Sequence, residues 1–102
     1  MKKQGAILIT KKFANLVKKQ FPVEKTYLFG SYAKNLAQEH SDIDICVVSP
    51  SFGKDIWEEE SRLRKISLKV DSRIWPVAMS TEDIKDRYSQ LAYEIKKYGI
   101  QV

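Results

Sequence analysis

The sequence predicts an α/β (α+β) domain, a small mixed β-sheet with helices packed mainly on one side. Three observations lead there. Apolar residues recur at helical spacing near the N-terminus, in the middle and near the C-terminus of the chain. Short β-prone apolar runs lie between those stretches. With 102 residues, 43% hydrophobic and 30% charged, the chain has the size and balance of one domain, residues 1–102, with a modest core.

Residues 7–20 place Ile9, Phe13, Leu16 and Val17 on one face with lysines between them, a helical pattern. Thr10 is a candidate cap, Ile7 and Leu8 are candidates to extend the helix backwards, and Pro22 marks its exit. Residues 25–29 read as a short buried strand ended by Gly30-Ser31, and Ser31 suits the N-cap of a short helix through residues 32–37. Residues 42–48 form the second strand, on which Asp42, Asp44 and Cys46 share one face and Ile43, Ile45 and Val47 the other. Residues 55–68 form an amphipathic helix with Ile56, Trp57, Leu63 and Ile66. Residues 69–77 are read as a third strand whose Pro76 belongs at a sheet edge or beyond the ladder. Ser80 resembles a helix start, followed by a helix over 82–98 with a break near Ser89. Gly99 stops it, and residues 100–102 suit a short edge strand.

The bulk properties exclude some classes. The net charge of +5 comes from 18 Lys and Arg spread without a dense block, which reads as ordinary solubility. No apolar run approaches the roughly 20 residues of a membrane span, and the apolar block Ala6–Ile9 is short for a signal peptide. The single cysteine, Cys46, has no partner for an internal disulfide, so a cytoplasmic location is expected. No repeat, low-complexity tract or linker interrupts the chain.

The chemistry-bearing residues cluster around two pieces. Gly30-Ser31 at a strand-to-helix junction offers backbone N–H groups, a hydroxyl and close backbone approach, which suits a phosphate. Ten residues after Ser31, Asp42 and Asp44 meet on one strand face. Unpaired, such carboxylates repel and raise each other's pKa; a hard divalent cation such as Mg²⁺ relieves this. Either piece alone has a bland reading, a capped turn or a wet strand face. Together they bring a phosphate site and a metal site into one cleft. Asp71 on the third strand is a candidate third ligand or general base, sharing its face with Lys69, Arg73 and Trp75. His40 reads as a solvent residue, Ser80 as a cap, and Trp57 and Trp75 as core or interface residues.

Gly30, Ser31, Asp42, Asp44 and Asp71 in this order resemble the signature of the minimal nucleotidyltransferases of the DNA polymerase β superfamily: Gly-Ser, ten residues, Asp-x-Asp, then a later strand acid. The resemblance runs from Leu16 to Val102 and implies a polymerase β-like nucleotidyltransferase fold. It implies that Gly30 and Ser31 hold the β/γ-phosphates, and that Asp42, Asp44 and Asp71 bind two Mg²⁺ ions. It further implies that Asp71 activates an acceptor hydroxyl for attack on the α-phosphate, with ATP as the usual substrate. Arginine-glycine is usual in the family where this chain has Lys34-Asn35; lysine keeps the charge, and asparagine tolerates a left-handed turn. Lys34 and Arg73 are thus the candidate basic residues at the nucleotide.

Small members of this family commonly act with an all-helical partner of the HEPN type, as the antitoxin of a toxin–antitoxin pair. The resemblance therefore implies a protein adenylyltransferase that modifies a HEPN toxin. Two alternatives stand beside it: a catalytically weak module that neutralises a helical partner by binding, and a nucleotidyltransferase for an aminoglycoside-type molecule that needs a second subunit. Direct nucleic-acid binding is not expected at this length, and an exposed strand edge leaves self-association open.

Overall fold

A computed structural model describes Met1–Val102 in full. The chain runs α1 (Lys3–Val17), β1 (Lys25–Phe29), β2 (Ile43–Val48), α2 (Ile56–Ser67), β3 (Ile74–Met79), α3 (Thr81–Lys85), α4 (Gln90–Tyr98) and β4 (Ile100–Gln101). The sheet has the order β3-β2-β1-β4. β1 pairs antiparallel with β2 and with β4, and β2 pairs parallel with β3, so the sheet is mixed as the sequence predicts.

The strand alternation of β2 sorts the core. Ile43, Ile45 and Val47 point to one face, where they meet Phe13 and Val17 of α1 and Leu63 and Ile66 of α2. Cys46 and Val48 point to the other, where Met79 of β3, Ile84 of α3 and Ala92 and Ile95 of α4 cover them. The two long helices thus share one face. The two short ones cover only part of the other, leaving open the end of the sheet where β2 begins. Burying side chains such as Ile45 and Leu63 fully contributes about 2 kcal/mol each, which drives the layering.

Local chemistry explains most boundaries. Asp55 caps α2 by accepting from the Glu58 N–H at 3.2 Å. Ser80 and Asp83 form a reciprocal capping box on α3. Ser89 caps α4 by accepting from the Ala92 N–H at 3.1 Å, so the expected break near Ser89 divides two helices. Pro76 sits in β3, an edge strand bonded only to β2, where its lack of an N–H breaks no ladder.

Four expectations are corrected. α1 starts at Lys3, and Thr10 is no cap: it is buried mid-helix, its Oγ1 donating to the Ala6 carbonyl at 2.7 Å. Residues 31–35 form turns rather than a helix through 37, because Asn35 takes a left-handed φ of 61° after one turn. Residues 69–73 are not strand. Val70 and Asp71 donate to the Ser67 carbonyl at 2.9 Å each, so the end of α2 unwinds through turns. β3 begins only at Ile74. Trp57 and Trp75 are not core either: they are 86% and 58% exposed.

Candidate active site

The turn after β1 is set by a glycine that nothing else can replace. Gly30 has φ +71°, and a Cβ built there would collide with the Asp44 carboxylate. Backbone and carboxylate therefore approach more closely than any side chain allows. Beyond it, the N–H groups of Ser31, Tyr32 and Ala33 donate to no protein acceptor, while Lys34 N–H donates to the Gly30 carbonyl at 3.2 Å and Leu36 N–H to Ser31 at 2.9 Å. Three successive free donors make a concave anion site even without the expected helix. The Tyr32 ring anchors the turn in the core, its hydroxyl buried without a partner. Asn35 supplies the left-handed residue in the place where the resemblance expects glycine.

Asp44 lies on β2 on the face opposite α1 and α2. Its register partners are Phe29 on β1 and Trp75 on β3. Paired residues of neighbouring strands share a face, so Phe29 and Trp75 stand on either side of Asp44 on that face. Asp42 precedes the strand and is exposed. Burial first, then the charge of Asp42, then that of Glu94 push the Asp44 carboxyl up to about 6. No protein donor satisfies either carboxylate, so the negative charge here is uncompensated.

Lys34 follows the turn and reaches α4, where it pairs with Glu94. Its ammonium also lies 5.0 Å from the centre of the Tyr98 ring. Glu94 was not legible in the sequence. It is one of many charges on an amphipathic helix, and only the packing of α4 against β1 carries it to Asp44.

The structure does not bring Asp71 to this pair. Asp71 sits in the turn before β3, where its Oδ1 accepts from the Arg73 N–H at 2.9 Å and from Arg73 Nε at 3.0 Å. Its Oδ2 accepts from Arg73 Nη2 at 2.7 Å. That Arg73 side chain is the main reason the Asp71 carboxyl titrates below its usual range. Both side chains are committed to each other, and no three His, Cys, Asp or Glu residues stand together as a metal cluster. The Arg73 carbonyl does accept from the Ile43 N–H at 2.9 Å, so the backbone of this turn abuts the start of β2. His40 is exposed in its loop, as expected. Cys46, on the Asp44 face, is buried; burial and, to a smaller extent, Glu60 push its thiol up to about 12, which leaves it unreactive.

The donor set fits one class of cation. Mg²⁺ is commonly held by one or two carboxylates together with substrate phosphates. Asp42 and Asp44 would supply the carboxylates to such an ion, and the free N–H groups of the adjoining turn would face the phosphates. A third carboxylate that would complete a fully protein-bound ion pair is not in place.

The sequence profile of the nucleotidyltransferase domain matches residues 10–102. No curated protein sequence matches the chain. Several solved structures resemble it. A candidate nucleotidyltransferase from Sulfolobus solfataricus superposes with a TM-score of 0.72 at 20% identity, covering 97% of this chain and 80% of that one. A chain of a toxin–antitoxin complex with AMP-PNP gives 0.63 at 25% identity, covering 90% of this chain and 70% of that one. A chain from the complex of tri-AMPylated Shewanella oneidensis HEPN toxin with MNT antitoxin gives 0.55 at 24% identity, covering 94% and 70%.

Proposed function

The chain belongs to the nucleotidyltransferase domain family, and from that premise we propose that it transfers AMP from ATP to a hydroxyl on a HEPN-type partner protein, acting as its antitoxin. One observation carries the reading: the Asp42–Asp44 pair, with no protein donor on it, directly adjoins the free N–H groups of the Gly30–Ala33 turn. A likeness to a chain from a toxin–antitoxin complex with AMP-PNP, at 25% identity, supports the nucleotide and the partner.

In this reading the N–H groups of Ser31, Tyr32 and Ala33 and the Ser31 hydroxyl hold the β- and γ-phosphates. Asp42 and Asp44 hold Mg²⁺, which when bound neutralises charge on the α-phosphate and the leaving pyrophosphate. Lys34 exchanges Glu94 for a phosphate oxygen. Gly30 lets the phosphates lie against the backbone beside Asp44. The acceptor oxygen bonds to the α-phosphorus as the bridging oxygen leaves with pyrophosphate. Positioning and charge stabilisation carry most of the rate. Asp71 and Arg73, paired with each other, shape the turn that flanks the site.

Calorimetric titration of ATP with Mg²⁺ into the wild type and Asp42→Asn tests this. Binding that requires both Mg²⁺ and Asp42 is expected. A wild type that binds no nucleotide overturns the transferase reading. The second reading, a module that neutralises its partner by docking, is favoured by the commitment of Asp71 to Arg73. It predicts that neutralisation of a co-expressed HEPN partner survives Asp42→Asn and Asp44→Asn, whereas the transferase loses it.

A further inference from the structure

Trp75 is the largest side chain beside Asp44 and has no structural task that explains it. It lies on the Asp44 face, in register with Asp44 across the parallel β2–β3 pair. The next residues of β3 on that face, Val77 and Met79, pack into the core with α3 and α4. Trp75 does not: it is 58% exposed. An exposed tryptophan on an edge strand is a liability to solubility and invites association.

Its place across the sheet has a chemical meaning. The phosphate-holding turn ends β1, the carboxylates lie on β2, and Trp75 lies on β3, with β2 central. Nucleotidyl transfer puts the attacking and leaving oxygens roughly in line through phosphorus. With pyrophosphate over the β1 end and the α-phosphate over Asp42 and Asp44, the acceptor enters from the β3 side. There it meets an indole. The acidic side chain nearest in β3's own sequence, Asp71, is held by Arg73. Recognition on this side is therefore by apolar contact, and the hydroxyl's proton passes to solvent as the new bond forms.

We propose that Trp75 is the acceptor-side specificity residue, its indole receiving the flat apolar face of the group that carries the attacking hydroxyl. The inference rests on the transferase reading above. An aromatic ring and the C–H face of a sugar both offer such a face. Stacking on one aromatic side chain is worth about tenfold or more in affinity, so that is the effect expected on acceptor binding.

The probes are N-acetyltyrosinamide and methyl glucoside, which carry a ring, and N-acetylserinamide, which does not. Trp57, 86% exposed on α2 and on the opposite side of the sheet, is first replaced by Phe so that Trp75 alone reports. With Mg²⁺ and AMP-PNP present, a ring-bearing probe is expected to change the Trp75 emission, read where tyrosine is silent, and the serine probe is not. Which ring-bearing probe acts identifies the acceptor's source. Mg²⁺-dependent AMP-PNP affinity is expected to stay within about twofold in Trp75→Ala, and when AMP transfer from ATP to each probe is followed, Trp75→Phe is expected to keep the preference for ring-bearing acceptors that Trp75→Ala loses. Emission that responds to no probe, or equally to all three, overturns the proposal. So does a tenfold loss of AMP-PNP affinity in Trp75→Ala, which would put the indole on the nucleotide side. A wild type that binds no AMP-PNP instead defeats the underlying reading, and the two failures are told apart by that first titration.

Discussion

Replacing Asp44 by Asn should make the metal-free protein more stable, although it removes a proposed ligand. Asp44 is half-buried, has no protein donor and sits near Asp42 and Glu94. Its carboxyl rises from 3.8 to about 6 on folding, burial being the larger cause. At about 1.4 kcal/mol per pH unit that rise corresponds to about 3 kcal/mol. Half-exposure to water screens roughly half of it, leaving about 1.5 kcal/mol. The folded state holds the proton more tightly than the unfolded one, so the stabilisation is full below 3.8 and lost as the pH rises through about 6. Near pH 7.5 the wild type therefore carries an unfavourable charge that Asp44→Asn lacks. Unfolding in chelator near pH 7.5 should show the variant more stable by about 1.5 kcal/mol, or about 6–10 °C in Tm for a domain of this size. Near pH 4 most of the difference should disappear. Saturating Mg²⁺ with nucleotide should then raise the wild-type Tm and leave the variant unmoved. A variant less stable than the wild type near pH 7.5, or a difference that ignores pH, would refute the reasoning, because the carboxylate would then have a partner in the folded state.

Three further outcomes follow from the same geometry. Gly30→Ala places a Cβ against the Asp44 carboxylate at a left-handed φ, so denaturant unfolding should show a loss of about 2–4 kcal/mol, with nucleotide binding abolished in whatever remains folded; a loss under about 0.5 kcal/mol would contradict that geometry. Glu94→Gln frees Lys34 and removes one of the charges that raise the Asp44 carboxyl; AMP-PNP with Mg²⁺ should bind several-fold more tightly by calorimetry, and the pH below which Mg²⁺ affinity declines should move down from about 6. Asp71→Ala leaves Arg73 unpaired but touches neither Asp42 nor Asp44, so Mg²⁺ affinity in the presence of nucleotide should change by less than about threefold, whereas a true ligand would cost roughly tenfold or more.

Most of the secondary structure was legible because its causes are local. The strand alternation of 43–48, the helix start at Ser80, the break near Ser89 and the stop at Gly99 are each set by residues within a turn or two of one another. The errors occurred where local signals conflict. Residues 69–73 alternate like a strand, but the Asp71 side chain bonds the backbone N–H two residues on, and a turn results. Ser31 reads as a helix cap, but the left-handed Asn35 ends the winding after a single turn.

What the sequence by itself determined is the order and spacing of Gly30-Ser31, Asp42 and Asp44 on two successive strands. The connection through residues 30–42 is long enough for a parallel crossover as well, so the antiparallel return that sets Asp44 beside the turn belongs to the fold. What only the tertiary structure decided is everything that depends on the packing of distant segments. The parallel register of β2 with β3 places Trp75, and not Asp71, opposite Asp44. The docking of α4 on β1 brings Glu94 to Lys34, 60 residues away in sequence, and near Asp44. Neither contact leaves a local trace. A parallel pair is joined by a crossover whose length hides its register, and a helix face shows which residues are wet without showing what they face.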